Sequence, residues 1–252
     1  MDPRVSRHVD QISRLNQRGG RMLSIRDLID ANTLDVELAS YLLATISKGS
    51  SFLVGARPGG AGKTTVMGAL LNFIPEVEIV PTENSKVIER GFSDPVRKCF
   101  VAHEIGHGPW YAYVWGEDTS RLLELAKIHI VVGNLHADTL DEVLSTPGID
   151  EENLSNIDLL IFLRLLRSQG GVLRRIGQVL ENQGEGGREA FRPIFLYDAS
   201  RDRFRTVGRS ALVDDGLLGR AREAIRRIIQ LDLRTIEQVR SFVVNEFSTD
   251  LR

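Results

Sequence analysis

The run Gly59-Gly60-Ala61-Gly62-Lys63-Thr64-Thr65 holds the residue types that grip a phosphate chain. Glycines let the backbone come close to an anion, and the N–H groups of the loop and of a following helix point at it. A lysine at position 63 neutralises β and γ phosphates, and the Thr64 hydroxyl is placed to ligate Mg²⁺. The pattern G-x-x-x-x-G-K-[ST] asks for glycine at 57, where this chain has Arg57. If the backbone there is left-handed, arginine costs roughly 1–2 kcal/mol.

A second motif competes. His103-Glu104-Ile105-Gly106-His107 matches H-E-x-x-H, the zinc-peptidase signature, in which both histidines share one helix face and the glutamate is the base. Gly106 and Gly108 each cost about 1 kcal/mol inside a helix, and Pro109 ends it a turn too early. Phe100-Val101 and Trp110-Tyr111 instead predict two strands around a Gly-His-Gly-Pro turn.

The phosphate loop needs a strand before it and a helix after it. Ser51-Phe52-Leu53-Val54-Gly55 is an apolar run closed by glycine, and Thr64 to Phe73 has helical spacing up to Pro75. Two short helices precede them, carried by Leu23 to Ile29 and Leu34 to Ile46. Further strands are predicted at Val77–Thr82, Cys99–Ile105, Tyr111–Trp115, Ile128–Val132 and Leu159–Leu163, with a helix at Thr119–Lys127. Gly170–Glu181 and Arg192–Tyr197 read as an antiparallel pair around Gly184-Glu185-Gly186-Gly187; Leu217–Gln230 and Thr235–Phe247 read as amphipathic helices. Alternating strands and helices behind a phosphate loop predict an α/β fold, a mainly parallel sheet covered by helices, with a small C-terminal helical appendage. The expected division is a polar, arginine-rich arm or linker at 1–21, a P-loop domain at 22–210 and a helical segment at 211–252.

Bulk composition narrows the class. The 252 residues are 42% hydrophobic and 26% charged, as in an ordinary globular domain. A formal charge of −2 argues against a protein that coats nucleic acid. Cys99 is the single cysteine, which excludes an internal disulfide and suits a reducing compartment. No apolar run is long enough to span a membrane, and the first residues lack the apolar core of a secretory signal, so a cytoplasmic location is expected.

Several segments together resemble the secretion and pilus traffic ATPases of type II and type IV systems, in their short archaeal and tight-adherence branch. The stretch from Leu23 to Pro75 is similar to that family's approach to its phosphate loop, and Val77-Glu78-Ile79-Val80-Pro81-Thr82-Glu83-Asn84 to the strand ending in its acidic pair. Trp115-Gly116-Glu117 falls where the family's Walker B strand ends in Gly-Glu, and Ile128 to His136 resembles its His box. The resemblance implies a RecA-like domain that hydrolyses ATP with Mg²⁺, commonly as a homo-hexameric ring, at the cytoplasmic face of the membrane. Its partner there would be an inner-membrane platform protein of a secretion or pilus system. Carried over by position, Lys63 and Thr64 bind phosphates and metal, Glu83 orders metal or water, Glu117 activates the attacking water, and His136 senses the γ-phosphate.

Each assignment has a plainer counterpart. Glu117 caps a helix start equally well, His136 is a loop residue after a buried strand, and Pro81 to Asn84 form a good turn around Glu83. Arg164, Arg167, Arg174 and Arg175 are either fingers reaching a neighbour's phosphate or solvated surface. Two other functions stand beside the motor: a degenerate relative that binds nucleotide or a regulatory partner without useful turnover, and a zinc peptidase built on His103 and His107.

Overall fold

The computed structural model describes residues 3–16, 19–168, 171–184 and 187–248. The chain enters through α1 (Pro3–Arg14), α2 (Ile25–Asp30) and α3 (Val36–Ser47), then β1 (Phe52–Gly55) and α4 (Lys63–Leu71). Next come β2 (Ile79–Pro81), α5 (Ser85–Gly91), β3 (Cys99–Ile105), β4 (Tyr113–Val114), α6 (Glu117–Leu125) and β5 (Ile130–Leu135). Short helices α7 (Leu140–Leu144) and α8 (Glu151–Leu154) lead to β6 (Leu159–Ser168), β7 (Gly171–Asn182), β8 (Phe191–Asp198) and β9 (Arg203–Thr206). Helices α9 (Asp215–Gln230) and α10 (Ile236–Phe242) follow, and α10 runs on into a π turn at Val243–Phe247.

Among the described residues, nine strands form one sheet in the order β2-β3-β5-β1-β6-β7-β8-β9, with β4 paired to β3 off that path. Strands β2, β3, β5, β1 and β6 are mutually parallel, and β7, β8 and β9 continue antiparallel. The fold is therefore α/β with a mostly parallel central sheet flanked by helices. Strands buried on both faces need apolar residues at every position rather than at alternate ones. Accordingly Phe52 and Val54 join one core cluster with α1, α3, α4 and α9, while Leu53 joins the other with α5 and α6.

The segment read as a polar arm is instead a helix. Val5, Val9, Ile12 and Leu15 are at most 4% exposed, and they join the main core beside α4 and α10. Their spacing puts them on one helical face, and the charged residues between them dominated the composition. Met1, Asp2, Gln17 and Arg18 lie outside the described residues, as do Glu185 and Gly186 of the predicted glycine loop. The C-terminal helical segment is present, yet it is no appendage: Leu217, Ala221, Ile225, Ile228 and Val239 belong to the same core cluster as β1 and α3.

Two strands differ in kind from their prediction. The Tyr111–Trp115 run forms only Tyr113–Val114, and it pairs with β3 in parallel, so the intervening loop carries the chain back instead of closing a hairpin. Strand β6 continues to Ser168 because β7 pairs with it throughout, from Leu159↔Glu181 to Ser168↔Gly171. Its pairing with β1 stops at Phe162. Beyond that point β6 and β7 form a two-stranded ribbon past the carboxyl end of β1.

Candidate active site

Ligands of open α/β sheets sit outside the carboxyl ends of the strands. Here that edge carries the loop after β1, the end of β3 and the residue after β5. The loop turns into α4 at Gly62, whose φ of 99° is a left-handed value that glycine reaches without strain. Gly60 is left-handed too, at φ 78°, whereas Arg57 is not among the residues with positive φ, so the anticipated strain at Arg57 is absent. Arg57 is held by its backbone N–H donating to Asp138 Oδ1 at 2.8 Å and by an ion pair to Glu142 at 3.3 Å. No side chain caps the start of α4, which leaves its first N–H groups for an anion.

A cavity of about 790 Å³ opens over this loop, lined by Gly59 to Val66, His103, Glu104 and His136. That size suits a nucleotide-scale ligand. Its lining also includes the apolar Met22, Leu23, Leu28, Val172 and Leu173, together with Trp110 and Tyr113.

Lys63 is buried on the first turn of α4, and its Nζ lies 3.4 Å from Glu104 Oε2. It also donates to the Ala56 carbonyl at 3.3 Å and sits 3.4 Å from His136 Nδ1. His136 Nδ1 is 3.1 Å from the Arg57 carbonyl, and its Nε2 is 3.8 Å from Glu104 Oε1. Nδ1 either donates to that carbonyl or accepts from Lys63, since one ring nitrogen cannot do both. Burial pushes the Glu104 carboxyl above its ordinary range, against the opposing pull of Lys63 and His136. Its Oε1 is buried without a hydrogen-bond partner among the described residues, an acceptor left for a proton or a water.

Glu104 reaches this place through a β-bulge. The register of β3 against β5 shifts between Ala102 and Ile105, and the buried Asn134 amide fills the gap by donating to the His103 carbonyl at 2.8 Å. Bulges of this kind re-aim side chains beside active sites. Burial holds His103 below its ordinary range, and a hydrogen bond to the Leu15 backbone opposes that shift.

The structure thus brings together Gly59, Gly60, Ala61, Gly62, Lys63, Thr64, Thr65 and His136. It does not bring Glu83 or Glu117 to them. Glu117 is exposed and opens α6 after Gly116, which has a φ of 61°, and it is not among the residues that line the cavity. Glu83 is exposed in the turn after β2, where it hydrogen-bonds Tyr111, and Asn84 caps α5. The acid beside Lys63 is Glu104, which the sequence reading placed in the zinc motif. The readable signal was the apolar run Cys99-Phe100-Val101-Ala102 closing on an acid, the same signal sought before Glu117.

The zinc arrangement does not form. His103 lies on β3 and His107 in the loop after it, so no helix sets them four residues apart on one face. His103 stacks on Tyr113, with ring centroids 5.7 Å apart, and His107 meets Trp115 edge-on. Among the described residues no group of three His, Cys, Asp or Glu side chains could hold a metal. Mg²⁺ needs no such group, because it keeps its waters and takes one or two protein ligands plus phosphate oxygens. Thr64, half-buried on α4 next to Lys63, offers such a ligand.

No protein-family profile matches the sequence, and no curated protein does. Among solved structures, the VirB11 ATPase from the Brucella suis type IV secretion system, in complex with sulphate, is similar with a TM-score of 0.43 and 16% identity. That likeness covers 62% of this chain and 54% of the other. The Legionella pneumophila ATPase DotB is similar with a TM-score of 0.42 and 12% identity, over 79% of this chain and 58% of the other. This chain therefore spans little more than half the length of either, and likeness this distant carries no argument about chemistry.

Proposed function

We propose that the chain binds ATP with Mg²⁺ on the Gly59–Thr65 loop and hydrolyses it, with Glu104 as the general base. The observation that carries this is the convergence of Lys63, Glu104 and His136 at the carboxyl edge of parallel strands, facing a helix start with no side-chain cap. The loop N–H groups and Lys63 would hold the phosphates, and Thr64 would ligate Mg²⁺, which supplies charge neutralisation when bound. Glu104, made more basic by burial and kept ionised by Lys63 and His136, would take the proton of an attacking water. His136 would report the terminal phosphate through its link to Arg57 and Glu104. The His-box resemblance of Ile128 to His136 supports placing the chain among secretion and pilus traffic ATPases. A homo-oligomeric, hexameric ring and a membrane platform partner belong to the same proposal.

The test is nucleotide binding and steady-state turnover on four proteins. Lys63→Ala should weaken ATP binding at least about tenfold, the loss of one charge-assisted contact. Glu104→Gln should keep binding and lose about 10²- to 10⁴-fold in kcat. Glu117→Gln should behave as wild type. If Glu117→Gln abolishes turnover while Glu104→Gln preserves it, Glu104 is not the base. Wild type that binds ATP without turning it over removes hydrolysis and leaves a nucleotide-binding regulatory protein.

A further inference from the structure

The β6–β7 ribbon overhangs the phosphate loop and lays one arginine on it. Arg174 Nε donates to the Gly60 carbonyl at 3.0 Å, and a Cβ built on Gly62 would meet Arg174 Cδ at 3.3 Å. The side chain thus crosses the loop between two of its glycines and lines the same cavity as Lys63 and Glu104.

Its position is set by its neighbours on β7. Arg175 is 3% exposed and grips Asp202 with two nitrogens, at 2.7 and 3.0 Å. The same guanidinium donates to the Ala31 carbonyl at 3.1 Å, and Ile176 N–H donates to the Thr33 carbonyl at 2.8 Å. These bonds pin β7 to the end of α2 and to the turn after β8. These anchors fix the backbone from which the exposed Arg174 side chain is presented, so a later contact need not order the strand as well.

Charge points the same way. The buried ammonium of Lys63 faces the Glu104 carboxylate at 3.4 Å, so much of its charge is already answered. Among the described residues, no carboxylate lies within ion-pair distance of Arg174, and its two terminal nitrogens make no hydrogen bond. A triphosphate entering the cavity brings several negative charges, and a planar guanidinium can hold phosphate oxygens in pairs.

We propose that Arg174 is a phosphate-binding residue that acts within its own subunit, exchanging the Gly60 carbonyl for the phosphate chain of the nucleotide held at Lys63. This rests on the phosphate-loop reading above. It also divides the four arginines considered from sequence: Arg175 anchors the ribbon, and Arg174 reaches the ligand in cis rather than from a neighbouring chain.

The experiment is a titration with a fluorescent ATP analogue, with ATP and ADP as competitors, on wild type, Arg174→Ala, Arg174→Lys and Lys63→Ala. Arg174→Ala should weaken ATP about 10- to 100-fold, as for a lost charge-assisted hydrogen bond, with Arg174→Lys in between. The unfolding midpoint of nucleotide-free Arg174→Ala should equal that of wild type, which separates ligand binding from support of the fold. Excess Lys63→Ala protein, which retains Arg174, is then added to Arg174→Ala. Action in cis predicts no recovery of affinity, and recovery would move Arg174 to a neighbour's site. Wild-type affinity in Arg174→Ala overturns the proposal alone. Wild-type affinity in Lys63→Ala overturns the phosphate-loop reading beneath it.

Discussion

His8 gives the most quantitative test of how the N-terminal helix is built into the fold. Its Nε2 meets the Leu71 carbonyl at 2.9 Å, so α1 is tied to the end of α4. Burial first, and Arg240 second, lower its pKa from 6.5 to about 3, with the Leu71 bond opposing. Below pH 6.5 the unfolded chain binds a proton that the folded chain refuses, so the stability this site contributes is complete above that pH. It is lost as pH falls toward 3, at about 1.4 kcal/mol per pH unit. Between pH 7 and pH 5 the loss comes to about 2 kcal/mol. Burial raises the Glu104, Asp158 and Asp35 carboxyls, which act in the opposite sense, gaining stability as pH falls. A difference between two proteins removes them. Urea unfolding of wild type and His8→Gln at both pH values should show wild type losing about 2 kcal/mol more, since glutamine keeps a donor for Leu71 and cannot be protonated. Equal losses, or a His8 ring proton titrating near pH 6.5, would refute both the burial of His8 and the docking of α1.

Two further outcomes follow from other contacts. Arg240 is 3% exposed, its pKa is brought down to about 10 by burial, and it donates to the Asn72, Ile74 and Pro75 carbonyls. Arg240→Met should cost roughly 3 kcal/mol in urea unfolding, because the stem is preserved and those carbonyls lose their donor. Trp110 is 58% exposed and lines the cavity, whereas Trp115 does not line it. Nucleotide should therefore change tryptophan emission in wild type, and the change should vanish in Trp110→Phe.

What could be read from sequence divides by the range of the forces involved. The phosphate loop, β1 and α4 were legible because a glycine-rich turn, an apolar run and a helical period are all local. Strand β3 was legible to the residue for the same reason. Its closing acid was not, because pairing Glu104 with Lys63 takes a bulge and a sheet order that bring positions 63, 104 and 136 together. A Gly-Glu dipeptide at 116–117 drew the assignment to Glu117, which the structure places at the start of α6 and not beside Lys63. The helical stripe Val5, Val9, Ile12 and Leu15 was present in the sequence, and the charged residues around it hid a face that needs α4 and α10 to be covered. The ribbon beyond Phe162 had no local signature: arginines at 164 and 167 look like a strand's end until β7 pairs with them.

The meeting of α1 with α10 also bears on how the protein is made. Ile12 is made about 230 residues before Val239, which lies in the same core cluster. At roughly 5–20 residues per second the gap is on the order of 10–50 s. During that time the apolar stripe of α1 can meet α4 but lacks its cover from α10, and the nascent chain must shield that part by temporary contacts or by a chaperone. Synthesis rate, and not only equilibrium stability, should then govern how much of the protein reaches its native state.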